Sequence, residues 1–403
     1  MHIVYVIPYF APAWGYGGPP RVMYDAARRL VRRGHAVTVL TTDALDGERR
    51  VAPRQAKLDG ITVRYLPNLS NRLAWKAKIF LPLGFRRALE ALLPSADVIH
   101  LSDFRSVQNA IGWRAAHAAD VPYVISAYGQ LPRGRGLKRP LKVVFDHRDG
   151  YAMVRHAEAL LAQTAHEAAC YRRLGGDPAQ IRLVPLAVDL DEFAELPPRG
   201  AFRRRHGIEA DEVVFLFVGR FHEYKGLDLL IRSFAAVART CGRARLVLVG
   251  RDDGYLATLQ RLIAALGLGE RVLLPGPIYG PERLTAYVDA DIFAFSPSYY
   301  EETSTAALEA LACGTPVVIT EQSGIPWLAE YGAGVEVPHD LVAFGAALAR
   351  CLDEGARRDL AANARRLITE RFSWERVVEA LERTYAEARG TRVAQAPPHA
   401  AAG

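Results

Sequence analysis

Two glutamates, Glu301 and Glu309, are separated by seven residues in the stretch SYYEETSTAALEALACGTPVVITE. The pattern predicts a strand before the first glutamate and a helix that begins near Ser304 and Thr305, because serine and threonine favour helix N-caps. Free N–H groups at a helix start favour phosphate. Carboxylates on either side of a diphosphate would accept hydrogen bonds from sugar and ribose hydroxyls. Two solvated surface acids are the alternative that this spacing leaves open.

Two basic residues follow a buried strand in the stretch FVGRFHEYKGLDLLIRSF, residues 217–234. Arg220 comes directly after the strand, and Lys225 precedes an amphipathic helix. Loops at the carboxyl ends of parallel strands bind ligands in open α/β sheets. Arginine would bind a leaving diphosphate through its planar fork and lysine as a point charge. Two solvated loop residues are again the alternative.

A glycine cluster follows the first predicted strand in the stretch APAWGYGGPPRV, residues 11–22. Gly15, Gly17 and Gly18 would let the backbone approach a ligand closely, although a flexible turn has the same composition. The cluster lacks the G-x-G-x-x-G spacing of dinucleotide-binding proteins. With Asp43 after the second strand, it still leaves a dinucleotide-dependent oxidoreductase open as a second hypothesis.

The elements that would position these residues form two series of alternating strands and helices. In the first half, strands are predicted at residues 3–7, 37–41, 63–66, 98–101, 121–126 and 181–185, and helices at 21–33 and 158–174. In the second half, strands are predicted at 213–218, 245–249, 272–274, 292–295 and 317–320, and helices at 227–240, 255–266, 281–289 and 305–313. This order predicts an α/β protein with two doubly wound parallel sheets and a binding site in the cleft between them.

The composition indicates a cytoplasmic protein. Half of the 403 residues are apolar, but no apolar run reaches the ~18 residues that a membrane span needs. The amino-terminal stretch MHIVYVIPYF is interpreted as a first strand, not a signal peptide. The four cysteines lack metal-ligand spacing and suggest no disulfide framework, which favours a reducing compartment.

The net charge of +7 is concentrated in the first half of the chain. Residues 1–199 carry 28 Lys and Arg against 18 Asp and Glu, and the remaining residues carry 23 against 26. Such a distribution favours an anionic partner such as a phospholipid, a lipid-linked phosphate or a nucleic acid. The stretch LPRGRGLKRPLK, residues 131–142, is a candidate for membrane or lipid-phosphate contact, and a solvated arginine-rich surface is the alternative. No nucleic-acid motif is present, so nucleic acid is not an expected partner.

These segments together resemble one family. The phrases VGRFHEYKGLDLLIRSF, EETSTAALEALACGTPVV and SGIPWL are similar to glycosyltransferase family 4, the set called glycosyl transferases group 1. The similarity extends from His2 to Ala388 and is strongest over Val213–Leu328. It implies the GT-B fold, in which two Rossmann-like domains face each other across a cleft. It also implies a retaining, metal-independent transfer of sugar from a nucleotide-sugar donor.

The resemblance, together with the proline-rich segment ELPPRG, predicts the domain boundaries. An N-terminal, acceptor-side domain is expected over residues 1–187, completed by a C-terminal helix over 372–388. A nucleotide-sugar-binding domain is expected over residues 188–371. The Ala- and Pro-rich tail, residues 391–403, is predicted to be disordered.

The resemblance also implies roles for individual residues. Arg220 and Lys225 correspond to the pair that binds the donor diphosphate. Glu301 corresponds to the acid near the donor sugar, and Glu309 to the acid that holds the nucleotide ribose. The backbone at the helix start, the glycine loop of the first domain and the turn beneath the base correspond to further binding residues: Ser304, Thr305, Gly17, Gly18 and Gly250.

Three positions depart from the family pattern. Tyr128 stands where the family often has a histidine and is therefore a candidate catalytic residue. A tyrosine can donate a hydrogen bond to a sugar hydroxyl, but with a pKa of ~10 it is a poor base near neutral pH. The usual glycine and phenylalanine after the first acid are Glu302 and Thr303, which leaves the sugar undefined. The usual Asn-Gly before the linker is Leu186-Ala187.

The sequence therefore predicts a hexosyl- or glycosyltransferase that moves sugar from a UDP- or GDP-linked donor to a glycan or lipid-linked glycan. Polysaccharide or lipopolysaccharide synthesis is the expected setting, with peripheral contact at the inner membrane face. The leaving phosphate oxygen is the expected proton acceptor. No metal or other cofactor is expected, and the oligomeric state is left open. The oxidoreductase and a catalytically inactive, anion-binding relative, suggested by Tyr128, are the alternatives.

Overall fold

The computed structural model describes residues 1–134 and 138–395. Within these residues the chain divides into two compact units. The first comprises Met1–Val184 with the chain from Val377 onward, and the second comprises Pro185–Arg376. The sequence-based boundary at 187/188 lies three residues after the one seen here. No helix in the described residues has the length and apolar character needed to cross a bilayer.

The first unit is built on a sheet with the strand order β3-β4-β2-β1-β5-β6-β7-β8. Its strands are β1 His2–Val6, β2 Ala36–Thr42, β3 Gln55–Leu58, β4 Ile61–Leu66, β5 Val98–Ser102, β6 Tyr123–Ser126, β7 Ala159–Ala162 and β8 Ile181–Leu183. All neighbours pair in parallel except β3, which lies antiparallel to β4 at the edge. The central β1 pairs Ile3 with Val37 on one side and with Val98 on the other. The expected fully parallel sheet is therefore wrong at this edge, where a short hairpin supplies the last strand.

Helices cover this sheet. They are α1 Pro19–Arg32, α2 Asn71–Ala77, α3 Phe85–Glu90, α4 Val107–Ala118, α5 Arg139–Phe145, α6 Tyr151–Arg155 and α7 Ala165–Arg173. The sequence predicts α1 closely because its apolar residues recur at helical spacing, and Met23, Ala27 and Leu30 are buried.

The helix predicted over residues 158–174 is wrong in its first part. The structure forms β7 over Ala159–Ala162, then the helix α7, whose N-cap Thr164 accepts a hydrogen bond from the backbone N–H of Glu167. Alanine and leucine favour helices intrinsically, but all four β7 residues are buried between β6 and β8. Sheet pairing and burial override the local preference here.

The second unit has a parallel sheet with the order β11-β10-β9-β12-β13-β14. Its strands are β9 Val213–Val218, β10 Ala244–Val249, β11 Val272–Gly276, β12 Ile292–Phe295, β13 Val317–Thr320 and β14 Gly334–Val337. Its helices are α8 Ala201–Arg205, α9 Leu227–Thr240, α10 Leu256–Ala265, α11 Arg283–Asp289, α12 Thr305–Ala312, α13 Leu328–Tyr331, α14 Leu341–Arg350 and α15 Glu354–Leu367. Runs of four or more buried apolar residues in β9, β10 and β12 match a sheet covered on both faces.

The last helix, α16, runs over Trp374–Gln395. From Val377 onward it belongs to the first unit, where the buried hydroxyl of Tyr385 lies 3.2 Å from that of Tyr5 and 2.7 Å from His100 Nδ1. Burial lowers the pKa of His100 to about 3, so this imidazole is neutral. The tail predicted to be disordered is helical over residues 391–395, and its remaining part lies outside the described residues.

Both sheets contain a point at which the strand order reverses. In the first unit it lies between β1 and β5, and in the second between β9 and β12. Loops after such neighbouring strands diverge and leave a crevice for ligands. The glycine loop and Asp103 follow β1 and β5, whereas Lys225 and Glu301 follow β9 and β12.

Candidate active site

Two loops of the second unit meet at its reversal point. The loop from β9 to α9 carries Arg220 and Lys225, and the loop from β12 to α12 carries Glu301. Gly226 has a left-handed backbone with φ 62°, and a Cβ atom there would overlap the carbonyl oxygen of Ser296. Glycine at 226 therefore permits direct backbone contact between the two loops.

Lys225 and Glu301 form an ion pair at this contact. Lys225 Nζ lies 2.5 and 2.7 Å from the two carboxylate oxygens of Glu301, and 5.4 Å from the centre of the Phe295 ring. The backbone N–H of Glu301 donates to the carbonyl of Gln322 at 2.7 Å. The lysine side chain is only 17% exposed, so its ammonium group is held in one place beside the loop.

The start of α12 adjoins this pair. Ser304 is the N-cap, and its hydroxyl accepts from the backbone N–H of Ala307 at 3.4 Å, while Thr305 is the first helical residue. Several buried side-chain atoms in the loop before α12, and at or just after the carboxyl end of β13, have no hydrogen-bond partner among the described residues: Thr303 Oγ1, Thr320 Oγ1, Gln322 Oε1 and Ser323 Oγ. Buried polar atoms are rarely left unpaired, so this region is suited to a polar ligand.

Arg220 lies on the same loop as Lys225 but is not part of that ion pair. Its guanidinium contacts the carboxylate of Asp253, and the side chain is 54% exposed. The neighbouring Asp252 caps α10 by accepting from three backbone N–H groups, which lower its pKa. Within residues 1–134 and 138–395, no group of three or more His, Cys, Asp or Glu side chains is arranged to hold a metal ion.

Glu309 lies further along α12 and pairs with a residue that the sequence did not indicate. Arg283 Nε lies 3.4 Å from the carboxylate of Glu309, and the same guanidinium contacts Glu192 at 2.5 Å. The 3.4 Å contact is long for a charge-assisted hydrogen bond, which leaves the carboxylate with capacity to accept from a ligand hydroxyl. Nothing in the spacing of 26 residues indicates that Arg283 and Glu309 would meet.

Gly250 has a packing requirement of its own. A Cβ atom at this position would overlap the carbonyl oxygen of Gly219 and lie 3.0 Å from the ring of Phe221. The glycine therefore allows the ends of β9 and β10 to come together. This requirement holds whether or not a nucleotide base lies above the turn.

In the first unit, the glycine loop precedes α1 directly. Gly17 has φ 122°, and Gly18 is the N-cap of the helix, with no atom within 4 Å of a Cβ placed there. A Cβ atom placed on Gly15 would lie 3.0 Å from the indole ring of Trp75. The loop is thus open at Gly18 and tightly packed at Gly15.

Tyr128 follows β6 in a left-handed conformation with φ 48°. Its hydroxyl donates to the sulfur of Met23 at 2.9 Å. Burial is the main cause that raises the pKa of this hydroxyl above its ordinary value of 10. Tyr128 is therefore protonated at neutral pH and unsuited to act as a base.

Asp103 is an ionisable residue of this region that the sequence analysis does not place in the active site. It follows β5 with φ 69° and is 6% exposed, and its Oδ1 has no hydrogen-bond partner among the described residues. Burial raises the pKa of Asp103 to about 7, against the opposing effects of Tyr9 and Lys78. A carboxyl group that titrates near neutral pH at a strand end is typical of functional sites.

Comparison with known proteins identifies the family. Residues 198–367 match the family described as Glycosyl transferases group 1, and residues 17–187 match the Glycosyl transferase 4-like domain. The D-inositol 3-phosphate glycosyltransferase of Kineococcus radiotolerans is 31% identical to this chain. The alignment, 432 positions long with its gaps, covers 97% of this chain and 95% of that protein. The chain belongs to the group 1 glycosyltransferases.

Further relatives agree with this family. The D-inositol 3-phosphate glycosyltransferase of Mycobacterium tuberculosis is 32% identical, covering 96% of this chain and 82% of that protein. Sucrose-phosphate synthase from Thermosynechococcus elongatus has a TM-score of 0.72 at 22% identity, covering 97% of this chain and 99% of that one. Anabaena Alr3699/HepE in complex with UDP-glucose has a TM-score of 0.68 at 20% identity, covering 96% and 99%. The fold is GT-B, as the sequence predicted.

The family assignment decides between the functions that the sequence left open. This group 1 glycosyltransferase is an enzyme of a family that uses nucleotide-sugar donors, and the oxidoreductase hypothesis is wrong. In the structure Asp43, one of the residues on which that hypothesis was based, makes contacts within the chain. Its carboxylate pairs with Arg50 at 2.7 Å and accepts from the backbone N–H of Asn68 at 2.9 Å.

Proposed function

We propose that this group 1 glycosyltransferase transfers a sugar, with retention of anomeric configuration, from a UDP- or GDP-sugar to a hydroxyl of a glycan or lipid-linked glycan. The observation that carries the proposal is the Lys225–Glu301 ion pair beside the Ser304-capped start of α12. It combines a held cation, free helix N–H groups and an acceptor carboxylate in one crevice.

The donor site stabilises the leaving diphosphate by charge. As the bond from the sugar C1 to the diphosphate oxygen loosens, negative charge grows on the diphosphate and positive charge on the ring. Lys225 and the N–H groups at the start of α12 face the negative charge that grows on the diphosphate. Arg220 can join them when its guanidinium leaves Asp253. Glu301 accepts from a sugar hydroxyl and orients the ring.

Proton transfer follows from the state of Tyr128. Its hydroxyl is engaged with Met23 and keeps its proton at neutral pH. We therefore assign the proton of the incoming acceptor hydroxyl to the leaving phosphate oxygen, on the same face of the sugar. Same-face attack retains the configuration at C1.

The acceptor binds the first unit in this proposal. A cavity of about 910 Å³ beside the glycine loop is lined by Trp14, Asp46, Arg72, Trp75 and Lys76, among others. Indole rings offer apolar faces to sugars, and carboxylates accept from their hydroxyls. Backbone N–H groups lower the pKa of Asp46 to about 2, so it is ionised and only accepts.

The relatives suggest which substrates to test first. One solved neighbour holds UDP-glucose, so a UDP-sugar is the first donor. The curated relatives are named for D-inositol 3-phosphate, a small phosphorylated acceptor. Arg72 and Lys76 in the cavity would suit such a phosphate, which makes a phosphorylated cyclitol the second acceptor candidate beside a glycan.

A thermal-shift panel tests the donor assignment. UDP, GDP, ADP, dTDP and NAD are compared without added metal, because a ligand that binds only the folded state raises the melting temperature. We expect one nucleoside diphosphate to raise it and EDTA to leave that shift unchanged. Turnover of the corresponding sugar nucleotide should then release the diphosphate. Stabilisation by NAD alone would contradict the proposal, and binding without any turnover would indicate an inactive relative.

Glu309→Ala is expected to weaken binding of the nucleoside diphosphate about tenfold, the cost of a hydrogen bond to a charged group. The fold should be retained because Arg283 keeps its contact with Glu192. Calorimetric titration measures the affinity. Glu354→Ala, which removes an exposed acid on α15, is the matched control. Equal affinities in the two variants would contradict a ribose contact.

A further inference from the structure

Exposed apolar side chains are concentrated in one region of the first unit. Seven of the fourteen large hydrophobic residues that are exposed in the described part of the chain lie here: Leu69, Leu73, Trp75, Ile79, Leu83, Leu141 and Val144. They belong to two segments, residues 69–87 and 138–144, which we call the α2–α5 surface. Lys138 Nζ donates to the carbonyl of Ala77 at 3.1 Å and joins the two segments.

Helix α5 packs on the core through Phe145, which contacts Phe104, but this contact does not account for its exposed apolar side chains, Leu141 and Val144. None of its seven described residues is buried, and Leu141 and Val144 are 65% and 62% exposed. Both line a groove of about 880 Å³ that also includes Arg86 from the first segment. Exposed apolar patches of this kind mark interaction sites.

The charge on this surface has one sign. Its two segments contain eight basic residues and no Asp or Glu: Arg72, Lys76, Lys78, Arg86, Arg87, Lys138, Arg139 and Lys142. Two acids outside these segments also line the groove, and both are paired: Glu90 with Arg86 at 2.8 Å and Asp149 with Arg114 at 2.8 Å. The surface is therefore cationic and apolar together, which is the composition of protein faces that lie at a membrane interface.

We propose that the α2–α5 surface docks on an anionic lipid bilayer. Leucine, isoleucine and valine side chains would enter the boundary between headgroups and acyl chains, while the surrounding cations contact lipid phosphates. A nucleic acid would satisfy the cations but not these aliphatic side chains. A second copy of the chain would bring eight cations against eight. The bilayer is the partner that matches both properties.

The position of this surface relates docking to the acceptor cavity. Trp75 belongs to the surface and also to the cavity wall, together with Arg72 and Lys76. Docking would therefore place the cavity mouth at the lipid interface, where a lipid-linked acceptor is found. This last step rests on the proposed function, whereas docking itself does not.

Vesicle co-sedimentation of the full chain tests the proposal. The probes are phosphatidylcholine vesicles with and without one-third phosphatidylglycerol, at low and high salt. We expect binding to the anionic vesicles only, weakened by salt because exposed charges are screened. Leu141→Ser with Val144→Ser should lower the partition coefficient roughly tenfold. Arg87→Gln with Arg139→Gln should lower it roughly tenfold or more.

Matched controls lie on the second unit. Leu341→Ser with Val342→Ser removes two exposed apolar residues of α14, and Arg350→Gln with Arg358→Gln removes two exposed cations. Both controls should bind vesicles like the unchanged chain. Melting temperatures of all variants should agree, since each altered side chain is exposed.

Three results would overturn the proposal. The first is no binding to anionic vesicles at low salt. The second is an equal loss of binding in the controls and in the surface variants. The third is a dimer in light scattering without lipid that Leu141→Ser with Val144→Ser dissociates, because the surface would then join two copies. Nucleotide-sugar turnover plays no part in these measurements, so failed docking and failed glycosyl transfer remain separate results.

Discussion

Lys225→Ala is expected to lower kcat/KM for the nucleotide sugar by about a hundred- to a thousandfold, the usual cost of removing one group that stabilises transition-state charge. The ammonium group lies at the contact of the two crevice loops, 2.5 Å from Glu301. Its removal deprives the departing diphosphate of this partly buried cation. Steady-state kinetics of diphosphate release measure the effect.

Two further variants define what this loss means. Lys225→Arg keeps the charge and should retain more activity than the alanine variant. Lys57→Ala removes an exposed lysine of β3 and should leave kcat/KM unchanged. Turnover of Lys225→Ala at the level of the unchanged enzyme would remove this lysine from the leaving-group site.

Asp103→Asn is expected to make the first unit more stable at pH 8 by several kcal/mol. Each unit by which folding raises the pKa of the Asp103 carboxyl group corresponds to about 1.4 kcal/mol. The pKa of Asp103 is about 7 in the folded chain, against 3.8 for an ordinary aspartate. Between these values the folded state binds more protons than the unfolded state. The stability contributed by the protonated group is therefore complete below pH 3.8 and is lost as the pH rises through 7.

Urea unfolding between pH 5 and pH 8 measures this difference, with tryptophan fluorescence as the signal. The advantage of the asparagine variant should grow as the pH rises. Asp120→Asn is the matched control, because Asp120 has a similar left-handed backbone, φ 53°, but an exposed side chain. A stability difference that does not change with pH would show that Asp103 is ionised throughout this range.

Strands β9, β12 and β13 of the second unit are predictable from sequence because they are runs rich in β-branched and aromatic residues, whereas the sequence analysis predicts no strand at β14, Gly334–Val337. The predicted bounds of β9, β12 and β13 agree with the structure. Strand β7 is predicted wrongly as helix because alanine and leucine do not reveal whether a short buried run pairs with neighbours. The short edge strand β3 gives no signal of comparable strength.

The candidate site is also predictable from the sequence only in part. The order of strands and loops along the chain is enough to place Lys225 and Glu301 at one sheet edge. Contacts between distant segments are not accessible from that order: Arg283 with Glu309, Arg220 with Asp253, and Tyr128 with Met23. The raised pKa of Asp103 is equally hidden, because burial depends on the packing of segments that are far apart in the chain.

The contact of Tyr385 with Tyr5 and His100 has a consequence for synthesis of the protein. The amino-terminal unit cannot complete its core on the ribosome until the polypeptide has been made through α16. The second unit is continuous over Pro185–Arg376 and can fold as soon as it emerges from the exit tunnel. The part of the enzyme that is translated first is thus the last to mature.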